Sequence, residues 1–251
     1  MQRVVITAGA GGIGREIARA FSAQGGKVYV CDIDETALTA IRKEIPGVTS
    51  AHCDMASRTA IERMVPEAVA ALGGLDVLVN NAGIAGPTKP VDQMPPAEWD
   101  KVVAVNLTAM FDVSRLAIPH LKKSKGGCII NLSSIAGRGG FPNRSPYAAT
   151  KWGVIGLTKT LSMELGEWNI RANAIAPGAV GGERIERVFA GRASVSGRSV
   201  EEERERAMAV QSLKGFVDPK DIAALCVFLA SEAAKAISGQ VIPIDNDRWR
   251  A

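Results

Sequence analysis

The stretch VVITAGAGGIGREIARAF, residues 4–21, decides the fold. A short Val/Ile run is followed by a cluster of glycines and then by an amphipathic segment, which reads as strand, tight turn and helix. Gly9, Gly11, Gly12 and Gly14 let the backbone approach a pyrophosphate closely. The helix that begins around Ile13 offers its free N-terminal N–H groups to the same anion. Glycine clusters also serve ordinary turns; the position between a first strand and an amphipathic helix is what favours the phosphate reading. Ile13, Ile17, Ala20 and Gln24 form one stripe with Phe21 beside it, and Gly25-Gly26 stops the helix.

Outward from this unit, short Val- and Ile-rich runs alternate with helical patterns. The runs are Val4–Thr7, Lys27–Cys31, Val48–Cys53, Leu75–Asn80, Gly127–Leu132, Ile170–Ala176 and Gln240–Ile244. They suit strands buried on both faces of a parallel sheet. Val154, Ile155, Leu157, Thr158, Leu161 and Leu165 mark a later helix. Seven strands alternating with helices predict an α/β chain, a Rossmann-like doubly wound parallel sheet flanked by helices. With 251 residues and 47% hydrophobic content, one domain over 1–251 is expected. The charged insertion 181–215 reads as a lid.

Composition excludes several classes. A net charge of +4, with scattered charges, does not indicate a nucleic-acid surface. No run approaches eighteen apolar residues, so no membrane span is expected. The first apolar stretch is too short for a signal-peptide core, and a cytoplasmic protein is expected. Cys31, Cys53, Cys128 and Cys226 form no C-x-x-C pair and read as core residues in a reducing compartment. His52 and His120 lie far apart, so no metal site is expected.

The second strand ends in YVCDID. Asp32 follows Gly14 by 18 residues, close to the spacing at which an acid bonds the adenine ribose, with Ile33 next to it. A carboxylate there accepts from the ribose hydroxyls and repels a 2′-phosphate, and no Arg or Lys occurs in residues 31–35. The expected cofactor is NAD rather than NADP. Farther on, Tyr147 and Lys151 project from one helix face. An ammonium beside a phenol favours the phenolate, so the pair can move a proton to or from an alcohol oxygen while a nicotinamide handles hydride. Such spacing is common on exposed helices. Here the strand CIINLSS ends at Ser134, thirteen residues earlier, where a hydroxyl can bond the same oxygen.

These residues give the chain a resemblance to the short-chain dehydrogenase/reductase family, in its classical NAD(P)-dependent branch. The resemblance spans nearly the whole length: TAGAGGIG at 7–14, CDM at 53–55, NNAG at 80–83, Asn106, INLSS with Ser134, YAATK at 147–151 and NAIAPGAV at 173–180. It implies that Tyr147 is the general acid/base and that Lys151 lowers its pKa and bonds the nicotinamide ribose. It implies that Ser134 polarises the substrate oxygen and that Asn106 holds a water in a proton relay through Lys151. Asp54 resembles the adenine contact, with Met55 beside it. Asn81, Ala82 and Gly83 resemble the segment along the adenosine ribose. Pro177, Gly178 and Val180 resemble the loop at the nicotinamide carboxamide. A homo-oligomer, tetramer or dimer, is implied in the same way. Three positions depart from the family pattern. Ala8 replaces a glycine and is expected to keep a negative φ, with Gly9 taking the tighter angle. Gly182 replaces a threonine that bonds the cofactor. Asp245-Asn246-Asp247 replaces Asp-Gly-Gly.

For the substrate, Arg138 and Arg144 lie on the Gly- and Pro-rich loop between Ser134 and Tyr147. Each can pair with an anionic group or with a structural acid; Glu98 is the acid considered for Arg144. Arg184 and Arg192 come early enough in the lid to reach the pocket, and Phe141, Trp152 and Phe189 can supply an apolar wall. The expected function is NAD-dependent oxidation of a secondary alcohol, or reduction of its ketone, on a small polar substrate such as an anionic hydroxy acid or a sugar derivative. The alternatives are a 3-oxoacyl-carrier-protein reductase, against which Asp32 argues, and a non-catalytic nucleotide sensor.

Overall fold

Along β1 the side chains alternate between two cores. Val4 and Ile6 face one, Val5 the other, and all three are buried. This two-sided burial repeats through the centre of a seven-stranded parallel sheet in the order β3-β2-β1-β4-β5-β6-β7. The strands are β1 Arg3–Thr7, β2 Lys27–Asp32, β3 Thr49–His52, β4 Val77–Asn80, β5 Gly127–Leu132, β6 Ile170–Pro177 and β7 Val241–Ile244. The computed structural model describes residues 1–124 and 126–248. Each expected run contains a strand, with ends shifted by at most two residues. The edge strands β3 and β7 are only half-buried, because each has a neighbour on one side alone.

The helices are α1 Gly12–Ala23, α2 Glu35–Glu44, α3 Arg58–Leu72, α4 Pro96–Val103, α5 Ala109–Leu121, α6 Ser145–Leu165, α7 Glu183–Ser196, α8 Val200–Ala209 and α9 Pro219–Ala230. One face of the sheet is covered by α1, α2 and α9 through Phe21, Leu38, Ile41 and Leu229. The other is covered by α3, α5 and α6 through Ile61, Val113 and Leu161. The chain is thus a doubly wound Rossmann-type fold. On α1 the buried stripe is Gly14, Ile17, Ala18 and Phe21, rotated from the expected one; Gln24 faces solvent. A π-helical turn, Ala104–Thr108, joins α4 to α5. The resulting 26-residue segment Pro96–Leu121 has the length and hydropathy of a membrane span. Here it packs on α3 and α6, and its buried Asp112 pairs with Arg58 at 3.0 Å. The charged insertion 181–215 carries α7 and α8. It is laced by pairs such as Arg204–Glu186 at 2.7 Å, but Glu203 is buried rather than on a solvated face.

The turn after β1 differs from the expectation. Ala8, not Gly9, takes the left-handed conformation, with φ 48°. Gly9 is needed for a different reason: a Cβ there would stand 2.7 Å from Val30 on β2. An L-residue in this region costs about 1–2 kcal/mol, whereas glycine's extra freedom in the unfolded chain costs about 0.4–1 kcal/mol. The first effect is the larger. Ala8→Gly is therefore expected to stabilise the protein by roughly 0.5–1 kcal/mol, a rise of about 1–4 °C in thermal unfolding. A lower melting temperature for the variant would show that the turn carries no such strain.

Candidate active site

Between β1 and β4 the order of the sheet reverses, and the strand ends part to leave a crevice. A cavity of about 660 Å³ opens there. At one end lie Gly11, Gly12, Ile13, Arg15 and Asp32. Gly11 precedes the first residue of α1 and caps it with no side chain, and no acidic residue occupies the first turn. Where Cβ atoms would stand on Gly11 and Gly12 there is open space within 4 Å. Uncapped N–H groups beside an open cradle fit a phosphate. Gly14 is required for close packing, since a Cβ would meet the Ala8 carbonyl oxygen at 2.2 Å.

The Asp32 carboxylate is fixed at the end of β2. Its Oδ2 accepts from Ala10 N–H at 3.1 Å and its Oδ1 from Ile33 N–H at 2.8 Å. Asn81 and Gly83 line the middle of the cavity, while Ala82 points into the core. Pro177, Gly178 and Val180 form the wall after β6. Gly182 begins α7 at φ 129°, a conformation that would strain the family's threonine, so the departure there has a backbone cause.

Several expected contacts are absent from the cavity wall. The Asp54 carboxylate turns back to accept from Ala56 N–H at 2.8 Å, and Met55 is packed in the core under α3. Ile33 points outward, 61% exposed. Arg138 is a correction to the substrate set: its half-exposed guanidinium turns away to Asp245, at 3.9 Å, and it does not line the cavity. Trp152 is 51% exposed and supplies no wall. Asn106 is fully buried, with Oδ1 accepting from Ile84 N–H at 2.7 Å and Nδ2 donating to Thr150 at 3.3 Å. It stands across Gly83 from Lys151, where a Cβ would be 3.3 Å from Asn106 Oδ1 and 3.5 Å from Lys151 Nζ.

Ser134, Tyr147 and Lys151 meet at the centre. The start of α6 places Tyr147 one turn before Lys151, whose ammonium donates to the Leu132 carbonyl at 2.7 Å. Burial pushes the Tyr147 phenol up. Lys151, Arg184, the facing Ser134 hydroxyl and Arg144 together outweigh that and leave it below its ordinary value. Burial brings Lys151 down to about 8, against the pull of Tyr147 toward its charged form. A phenol held this way gives up its proton more readily than a free one, which suits it to proton transfer.

Beyond Tyr147 the cavity is cationic. Arg144 is 3% exposed; it donates to the Ala85 carbonyl at 2.7 Å, stacks 5.1 Å from the Tyr147 ring centre, and its Nε has no partner among the described residues. Among the described residues it has no carboxylate partner, so the expected alternative with Glu98 is not formed. Arg184 donates to the Gly83 carbonyl at 2.9 Å. Arg248, near the chain's C-terminal end, also lines the cavity. It reaches Phe141 because Asn246 and Asp247 take left-handed φ values of 58° and 53° and turn the chain back. Asn and Asp tolerate this region better than other side-chain-bearing residues, so they replace the family's glycines without losing the turn.

A family model described as enoyl-(acyl carrier protein) reductase matches residues 8–246. The 3-oxoacyl-(acyl-carrier-protein) reductase of Thermotoga maritima is 37% identical over 246 residues, 96% of this chain and 95% of its own. The D-beta-hydroxybutyrate dehydrogenase of Cupriavidus necator is 36% identical over 247 residues, with the same coverage. The structure of an NAD⁺-bound xylitol dehydrogenase superposes with a TM-score of 0.92 at 28% identity, covering 97% of each chain. Fold, crevice and likeness together define a nicotinamide-dependent oxidoreductase class. The chain belongs to the short-chain dehydrogenase/reductase family.

The chain has two tyrosines, and they are held in opposite senses. Burial raises Tyr29 to about 12, while Tyr147 lies below 10. Alkaline titration of tyrosinate absorbance is expected to give a first step of one tyrosine below pH 10 and no second step until about pH 12 or unfolding. Lys151→Met removes a positive charge beside the phenolate and is expected to move the first step upward. A single step of two tyrosines near pH 10 would contradict the assignment.

Proposed function

We propose that the protein is an NAD-dependent dehydrogenase that oxidises the secondary alcohol of a small hydroxy acid, or reduces the corresponding keto acid. The observation that carries this reading is the Tyr147 phenol, flanked by Ser134 and Lys151 in the crevice, with the buried Arg144 behind it lacking a carboxylate partner among the described residues. Bound NAD supplies the hydride acceptor. Gly11, Gly12 and the first turn of α1 bind its pyrophosphate, and Asp32 accepts from the adenosine ribose hydroxyls. Ser134 donates to the substrate oxygen and orients it. Tyr147 takes the alcohol proton, and Lys151 holds the phenolate form and bonds the nicotinamide ribose. Asn106 supports Lys151 from across Gly83. Arg144 binds the substrate carboxylate, its charge strengthened by the low polarity around it.

The absence of Lys or Arg from residues 31–35 supports NAD over NADP. A hydroxybutyrate dehydrogenase among the relatives supports a hydroxy acid. The likeness to an oxoacyl-carrier-protein reductase favours a second reading, reduction of a carrier-bound ketone, which the Asp32 carboxylate opposes. Four free buried cysteines suit a reducing compartment such as the cytoplasm. Exposed Phe111 on α5, with Trp152 and Met163 on α6, supports assembly into a dimer or tetramer.

Steady-state kinetics test the reading. Wild type is expected to prefer NAD to NADP by at least about tenfold in kcat/KM, a gap that Asp32→Ala narrows. Equal use of both cofactors by wild type would remove the NAD assignment. Tyr147→Phe is expected to lose about 100-fold or more in kcat while binding NAD normally. Because the phenolate is the base for oxidation, that direction rises with pH through a step below 10 and is lost as pH falls through it. The rising limb shifts upward in Lys151→Met. A profile unmoved by that substitution would place the base elsewhere.

A further inference from the structure

The charged insertion leaves the body of the protein and returns to it at one place. Gly181 N–H donates to the Val217 carbonyl at 3.1 Å, and Val217 N–H donates to the Ala179 carbonyl at 2.8 Å. Just inside these stems Gly182 and Gly215 take φ values of 129° and 134°, a region that side-chain-bearing residues avoid. The returning stem is also held by Ser212 N–H on the Asn246 carbonyl at 3.1 Å, which leaves α7 as the freer end. A pinned base with a glycine at the start of the moving element is the plan of a hinged lid. On its inner side α7 meets the segment that follows β4. Gly191 lies so near Thr88 that a Cβ would stand 3.0 Å from its hydroxyl. At the first turn of α7, Arg184 donates to the Gly83 carbonyl at 2.9 Å. Gly83 is itself wedged between the side chains of Asn106 and Lys151. Arg184 therefore joins the lid to the reacting centre and brings a charge with it. Its neighbour Glu183 does not neutralise it, because that carboxylate pairs with Arg187 at 3.6 Å.

We propose that Arg184 is a positioning residue that couples closure of the α7 lid to the readiness of Tyr147 to give up its proton. The groups that act on the phenol come from three parts of the fold: Ser134 after β5, Arg144 and Lys151 at the start of α6, and Arg184 on α7. Arg184 alone among them rides on the lid. Burial raises the phenol; against it Lys151 acts most strongly and Arg184 next, ahead of Arg144. Burial is also the main cause of the low value of Lys151, and Arg184 adds to it. With α7 seated on Gly83, the phenolate forms readily in a covered crevice. With α7 lifted, the guanidinium leaves and the phenol returns toward its ordinary value. Proton transfer is thus favoured only once the substrate is enclosed. The arrangement also answers the departure at Gly182. A hydroxyl missing from the residue before α7 is followed two residues later by a side chain that ties the same helix start to the crevice. The inference rests on the reading of Tyr147 as the proton-transfer group, and the two can fail separately.

The test uses the full-length protein without added ligand. Arg184→Met removes the charge and the donor, and Arg184→Lys keeps both; the side chain is exposed, so both variants are expected to fold. Two readouts are taken, the alkaline titration of tyrosinate absorbance and amide hydrogen exchange across α7. Arg184→Met is expected to move the first tyrosinate step to higher pH, by less than Lys151→Met does, and to speed exchange in α7 about tenfold or more. Arg184→Lys is expected to hold the step near its wild-type position, and Tyr147→Phe to abolish it. A step unmoved by Arg184→Met but still moved by Lys151→Met would overturn the coupling and leave the Tyr147 reading standing. A moved step with unchanged exchange would overturn it too, because the lid would then not depend on Arg184. So would a shift in Arg184→Lys as large as that in Arg184→Met, since charge would not be the cause. A first step that survives Tyr147→Phe would remove the reading of Tyr147 itself.

Discussion

Four hydrogen bonds between the ends of β1 and β4 hold the crevice in shape. The Asn81 amide donates to the carbonyls of Thr7 and Ala8, and the Thr7 hydroxyl accepts from the N–H groups of Asn81 and Ala82. Strand ends at a point of reversal would otherwise leave carbonyl and N–H groups facing a cavity without partners. Tying them to one another fixes the left-handed turn at Ala8, and that turn in turn sets where Gly11 and Gly12 meet the open space. The site is thus built from backbone first, and its side chains are placed on a frame that is already rigid.

The second theme is the keeping of positive charge in a partly dry crevice. Removing an ammonium or guanidinium from water is costly unless other groups compensate. Lys151 is compensated by the Leu132 carbonyl and by the phenol it serves. Arg144 has the Ala85 carbonyl and an aromatic face but keeps one buried N–H without a partner among the described residues. Violations of polar satisfaction concentrate where a protein does its work, and this one sits beside Tyr147.

The glycine turn, the strand pattern and the Tyr147–Lys151 helix are legible in sequence because each rests on local chemistry: backbone freedom, periodicity of burial, spacing on one turn. Residues whose placement depends on the path of a loop are not. Arg138 and Arg144 are six apart on the same loop, yet one turns to Asp245 and the other into the cavity. No periodicity separates them. Met55 follows Asp54 directly and still belongs to the core, since the chain reverses direction there. Arg248 is 107 residues from Phe141, the ring it covers. The sign of its arrival was the pair Asn246-Asp247, which can stand in for glycines in a tight turn. Ala8 shows the converse, a residue of ordinary preference forced left-handed by the frame around it.

An anion bound beside Arg144, Arg192 and Arg248 would couple occupancy to folding. Repulsion within the cluster burdens the native chain alone, because in the unfolded ensemble the three are far apart. An anion that relieves it adds to native stability by mass action, by about 2.7 kcal/mol at one hundred times its dissociation constant. That is a sizeable share of the few kcal/mol separating folded from unfolded chains. The lifetime of the protein in a cell would then follow the supply of its own ligand, with the vacant form the first to be cleared by proteolysis.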